Sequence, residues 1–133
     1  MSTADGPIDC ARARTMAEAV LSTMSLPARA VDDVLVVVSE LVGNARRHAG
    51  GATAFTVTAR TGTLTVTVSD TSSRVPELQA WAPERAGGFG WRLVNDLTDA
   101  LTIRLHPGGK TITATFSDKQ LRPEQEVKAA GGR

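Results

Sequence analysis

Apolar side chains recur along this chain with two different periods, and each change of period marks a new element. Met16, Val20 and Met24 are spaced by four, with Ala17 and Leu21 alongside, which predicts an amphipathic helix over Cys10 to Ser25. Leu26-Pro27 ends it, because a proline disfavours helical geometry at the residue before it. Pro27 suits the first turn of a second helix, which runs to about His48 and stops at Gly50-Gly51. Val31, Leu35, Val38, Val42 and Ala45 form its apolar stripe, widened by Val34, Val37 and Leu41. Period two then takes over. Thr53, Phe55, Val57 and Ala59 alternate with Ala54, Thr56 and Thr58; after Arg60-Thr61-Gly62, Leu64, Val66 and Val68 alternate with Thr65, Thr67 and Ser69. Two threonine-rich strands around a short glycine-containing turn predict a hairpin.

Thr71 to Ala86 has Pro76, Pro83 and no sustained period, so it is expected to be a long loop of the kind that serves as a lid. A third helix is expected from about Gly90 to Asp99, carrying Leu93, Val94 and Leu97. Leu101, Ile103 and Leu105, the turn Pro107-Gly108-Gly109, then Ile112, Ala114 and Phe116 predict a second hairpin. The polar stretches 1–9 and 118–133 are expected to be flexible termini around a single domain over 10–117. The order helix, helix, strand, strand, loop, helix, strand, strand predicts a two-layer α/β sandwich, with the aliphatic strand faces buried against three helices.

Composition adds mainly exclusions. The chain has 133 residues, enough for one domain with a real core. Lys+Arg total 15 and Asp+Glu 14, a net charge of +1, so no charge imbalance points to nucleic acid or an anionic membrane. A lone Cys10 rules out an intramolecular disulfide framework and fits a reducing compartment. No apolar segment resembles a signal peptide or crosses a bilayer, so a cytoplasmic protein is expected.

The chemistry concentrates in Glu40-Leu41-Val42-Gly43-Asn44-Ala45-Arg46-Arg47-His48-Ala49. Glu40, Asn44 and His48 are spaced by four, so a helix stacks them along one face. Glu40 is either a carboxylate paired with an arginine such as Arg47, or a general base that orients a hydroxyl toward a phosphoryl group. The Asn44 carboxamide either bonds across to a neighbouring loop or offers its oxygen to a hard cation such as Mg²⁺, which also leans on substrate phosphates. His48 sits favourably at the negative end of the helix dipole and, like His106, has no metal-site spacing around it; both read as structural. Asp70 is in phase with Leu64, Val66 and Val68, an expensive place for an acid unless something donates hydrogen bonds to it. Gly87-Gly88-Phe89-Gly90-Trp91 precedes a helix whose free N–H groups can receive phosphate oxygens. Gly109-Lys110-Thr111 is no P-loop, since it opens a strand. Trp81, within the long loop, is a candidate partner contact or lid anchor.

Taken together, these motifs resemble the small anti-sigma-factor serine/threonine kinases of actinobacteria, within the Bergerat-fold ATPases that include histidine kinase catalytic domains and gyrase. The resemblance spans roughly Cys10 to Phe116. Glu40-Leu41-Val42-x-Asn44-Ala45-x-x-His48-Ala49 resembles the N box, Gly88-Phe89-Gly90-Trp91-Arg92-Leu93-Val94 the second glycine box, and Gly109-Lys110-Thr111 the turn before the last strand. The resemblance implies a mixed, mostly antiparallel sheet covered on one face by about three helices. It implies ATP and Mg²⁺ as cofactors, with Glu40 as general base and Asn44 as Mg²⁺ ligand. Asp70 would accept from the adenine amino group, and Gly88, Gly90, Trp91, Lys110 and Thr111 would line the nucleotide site. The implied partners are an anti-anti-sigma (STAS-domain-like) protein, phosphorylated on Ser or Thr, and a sigma factor held by binding; a homodimer is also implied. Thr71-Ser72-Ser73-Arg74-Val75-Pro76 stands where the wider superfamily has glycines, and Phe89 and Trp91 where smaller or aliphatic residues are usual. These departures leave a second expectation open: a catalytically degenerate, nucleotide-gated binding protein of the same fold.

Overall fold

The computed structural model of the chain describes residues 2–74 and 88–122. Five strands form one sheet in the order β1-β2-β3-β5-β4, and every pairing is antiparallel. In chain order the elements are β1 (Ser2–Ile8), α1 (Cys10–Leu21), α2 (Ala28–Ala49), β2 (Ala52–Arg60), β3 (Thr63–Asp70), α3 (Gly88–Leu97), β4 (Ala100–His106), β5 (Gly109–Ser117) and α4 (Asp118–Leu121). Among the described residues the expected two-layer α/β sandwich is present, its mostly antiparallel sheet being antiparallel throughout and its three expected helices joined by the single turn α4.

The alternation read along the strands sets the layers. Phe55, Val57, Leu64, Val66, Val68, Ile112, Ala114 and Phe116 are buried and share the helix-facing side. On the opposite side the register pairs Thr56 with Thr67, Thr58 with Thr65, Thr67 with Thr113 and Thr65 with Thr115. Branched hydroxyl side chains suit such a half-exposed pleated surface. The buried stripe of α2 is centred on Val34, Val37, Val38, Leu41, Val42 and Ala45, while Val31 and Leu35 are only half-buried.

The structure departs from the sequence-based expectation through local bonds at the end of α1 and through tertiary contacts at β1 and α4. Residues 2–8, expected to be flexible, pair with β2 as an edge strand; Ile8 enters the core, and Asp9 caps α1 by accepting from the Arg12 N–H at 2.8 Å. Helix α1 ends at Leu21 rather than Ser25. There Thr23 and Met24 donate backbone bonds only three residues back, the Ser22 and Thr23 hydroxyls bond Ala19 and Val20 carbonyls, and Ser25 takes a left-handed φ of 54°. Beyond β5 the chain forms α4, whose Leu121 is buried and whose neighbour Arg122 donates to the Met24 carbonyl. Helix α3 starts at Gly88 and ends at Leu97, two residues earlier at each end than the pattern predicts. Thr71–Arg74 of the expected loop is described and lacks regular structure; the rest of it, Trp81 included, lies outside the described residues.

Candidate functional site

Helix α2 sets three polar side chains along one line, and the fold grades their exposure. Glu40 is half-buried, Asn44 is buried and His48 is exposed. Among the described residues no hydrogen bond or ion pair engages the Glu40 carboxylate, so the pairing with Arg47 is not formed there. The Arg47 guanidinium lies back over Gly43, with Nη1 3.3 Å from where a Cβ on that glycine would stand. The Asn44 Oδ1 is buried with no hydrogen-bond partner among the described residues. An orphaned buried carbonyl is rare, and it is the kind of group a hard cation satisfies. Among the described residues no cluster of three or more His, Cys, Asp or Glu could hold a metal ion. The Asn44 oxygen is a single neutral donor that could hold a cation such as Mg²⁺ if water and a ligand supplied the other oxygens.

At the end of β3, Asp70 is buried as its phase demands, 3% exposed, and its hydrogen-bond donors are visible. The Ser72 N–H donates to Oδ1 at 2.8 Å, and Lys110 Nζ lies 3.0 Å from both carboxylate oxygens. Lys110 opens β5 in phase with Ile112, Ala114 and Phe116, and its side chain is completely buried. Sequence reasoning placed Lys110 at the site but missed this ion pair. The available signal was a lysine in phase with one buried strand face, opposite an aspartate in phase with the next.

His48 belongs to the same neighbourhood. Partial loss of solvent lowers its pKa from the ordinary histidine value; the positive charges of Arg74, Arg47 and Lys110 lower it further, and Asp70 opposes them. The remaining candidates separate. Thr111 points to the outer sheet face, where its Oγ1 meets Ser69 Oγ at 2.9 Å and His106 Nε2 at 3.0 Å. Trp91 is buried in the hydrophobic core. Gly88 and Gly90 lie in the first turn of α3, which packs against α2. Such a turn leaves backbone N–H groups without helical partners.

The chain shares this framework with known proteins. Residues 4–116 match the histidine kinase-like ATPase domain family. The solved blue-light activated histidine kinase of Erythrobacter litoralis EL346 is similar at 25% identity and a TM-score of 0.52, over 71% of this chain and 33% of that one. A structure of that kinase's histidine kinase domain superposes with a TM-score of 0.57 at 20% identity, over 90% of this chain and 67% of the domain. The match thus spans about a third of that kinase chain. No curated protein sequence matches it. With a family match over most of its length and the same sandwich architecture, this chain belongs to the histidine kinase-like ATPase domain family.

Proposed function

We infer that this chain binds Mg²⁺-ATP and transfers the γ-phosphoryl group to a serine or threonine of a protein partner. The observation that carries this reading is the α2 wall, where Asn44 Oδ1 stands one helical turn from Glu40 and neither has a partner among the described residues. Glu40 takes the proton of the attacking hydroxyl as its oxygen bonds to phosphorus and the bond to the β–γ bridging oxygen breaks, releasing ADP. Asn44 holds the metal, which when bound neutralises charge on the phosphates. Asp70 is the base contact, and the first turn of α3, with Gly88 and Gly90, supplies N–H groups to phosphate oxygens. In this reading the phosphorylated partner is an anti-anti-sigma protein of the STAS type, and the chain restrains a sigma factor by binding it in the cytoplasm. Both partners follow from the resemblance of the N box to anti-sigma-factor kinases. No described helix is long and apolar enough to cross a membrane, which is compatible with this setting.

The test is phosphotransfer from radiolabelled ATP with Mg²⁺ to a STAS-type protein encoded beside this chain, comparing wild type with E40A. E40A is expected to lose at least about a hundredfold in rate, the usual scale for general base catalysis. Equal transfer by both proteins removes Glu40 from the chemistry. A second reading, a noncatalytic nucleotide-gated binder, draws on the two altered glycine boxes, with residues 71–76 after Asp70, and Phe89 and Trp91 in the second box. Tight ATP binding without transfer by wild type favours it.

A further inference from the structure

The last pair in the β3–β5 register sets Asp70 directly across from Lys110. Cross-strand neighbours on one face of an antiparallel pair are close enough for their side chains to interact, and here both point to the core-facing side. The approach depends on the residue before Lys110. A Cβ on Gly109 would stand 1.9 Å from the Asp70 carbonyl oxygen, so only glycine lets β5 begin this close to the end of β3. Lys110 Nζ also reaches the Ser72 carbonyl at 3.4 Å, while the Ser72 N–H donates to Asp70. Ammonium, carboxylate and the first turn of the following loop therefore close on one another with 0% and 2% of the two charged side chains exposed.

We propose that Lys110 determines base selectivity by holding the Asp70 carboxylate fixed as a hydrogen-bond acceptor, so that the site takes 6-aminopurine nucleotides and refuses 6-oxopurine ones. This rests on the reading of Asp70 as the base contact. An ionised carboxylate only accepts hydrogen bonds. Of its roughly four lone-pair sites, Lys110 and the Ser72 N–H use those turned toward β5 and the loop, leaving capacity for one donor from a ligand. An exocyclic amine satisfies that capacity. A carbonyl oxygen at the same place meets it lone pair to lone pair. Without the ammonium, nothing on β5 fixes the two carboxylate oxygens, and a side chain that can turn in its pocket no longer presents one set acceptor to the base. Lys110 acts through Asp70; it is a positioning residue and touches no reacting atom.

The experiment measures the affinities of ATP and inosine triphosphate, with Mg²⁺, by calorimetry on the full chain. Wild type, K110M, K110R and D70N are compared. Wild type is expected to prefer ATP by at least about tenfold, the lower end of what a hydrogen bond to a charged group supplies. K110M and D70N are expected to lose that preference, and K110R, which keeps the charge, to retain most of it. If K110M fails to fold, K110Q keeps the volume and a donor without the charge and is expected to show the same loss. A folded K110M or K110Q protein with the wild-type ratio overturns the proposal. So does an equal loss of affinity for both nucleotides, which would mark a structural role alone. A wild type that does not distinguish the two nucleotides, unchanged by D70N, removes the base reading itself and is separable from failure at Lys110.

Discussion

At the scale of single residues, Asn44 separates a structural role from a functional one by its stability cost. A buried carbonyl that makes a good hydrogen bond contributes to the fold, and truncating it costs about 1–3 kcal/mol when a partner is stranded. Asn44 Oδ1 has no partner to strand among the described residues. N44A is therefore expected to change unfolding free energy by less than about 1 kcal/mol, read from urea denaturation, while abolishing Mg²⁺-dependent enhancement of ATP binding. A large stability loss with unchanged metal dependence would instead give Asn44 an architectural role. His48 has its own consequence. Its pKa in the folded protein lies below the ordinary histidine value, so the unfolded chain binds more protons at mildly acid pH. The stabilising contribution is fully present above pH ~6.5, the unfolded value, and is lost as pH falls toward the folded pKa. In H48Q the stability decline over that window is expected to flatten, as denaturation midpoints at stepped pH would show. Asp70 was legible from phase alone, because an acid on a buried strand face needs donors. Its donors were harder to read: Lys110 lies 40 positions away and only the β3–β5 register brings the two together.

Among the elements, the glycines show which backbone constraints are local and which are tertiary. Gly50 ends α2 with a left-handed φ of 77°, and a Cβ there would meet nothing within 4 Å. G50A carries only the backbone penalty, about 1 kcal/mol. Gly109 combines a positive φ of 153° with a Cβ position inside the Asp70 peptide, so β5 must move away from β3 to admit any side chain. G109A is expected to cost more than about 2 kcal/mol, above the G50A loss, and to weaken ATP binding because Lys110 shifts with its strand. Thermal denaturation of the two variants side by side checks the ordering; equal losses would mean that β5 accommodates the methyl group freely. The Gly50 stop could be read from the sequence, since a glycine ending an apolar helical run is a local signal. The end of α1 and the strand β1 could not. Apolar spacing continues through Met24 while the Ser22 and Thr23 hydroxyls draw the backbone out of the helix, and Ser2–Ile8 becomes a strand only because β2 offers it an open edge.

On the scale of the whole molecule, the alternating strands and striped helices made the two layers legible, while the strand order is a property of tertiary pairing. Nothing local says that β5 inserts between β3 and β4, yet that insertion carries Lys110 to Asp70 and leaves β4 as the outer edge. A single buried cluster joins α1, α2, α3 and the sheet, so the domain is expected to unfold in one cooperative transition. The α2 wall and the β3–β5 end both belong to that unit, and a ligand that binds only the folded form must stabilise all of it. At a Mg²⁺-ATP concentration a hundredfold above Kd, linkage gives about 2.7 kcal/mol, or roughly 10 °C in Tm for a domain of this size. Thermal scans against nucleotide concentration should show that rise for wild type, growing logarithmically, and should show the Mg²⁺-dependent part missing in N44A. Without nucleotide the two proteins should melt close together. If wild type shows no shift at millimolar Mg²⁺-ATP, the fold is serving protein binding alone, and Glu40 and Asn44 are left as an unused pair on its helix.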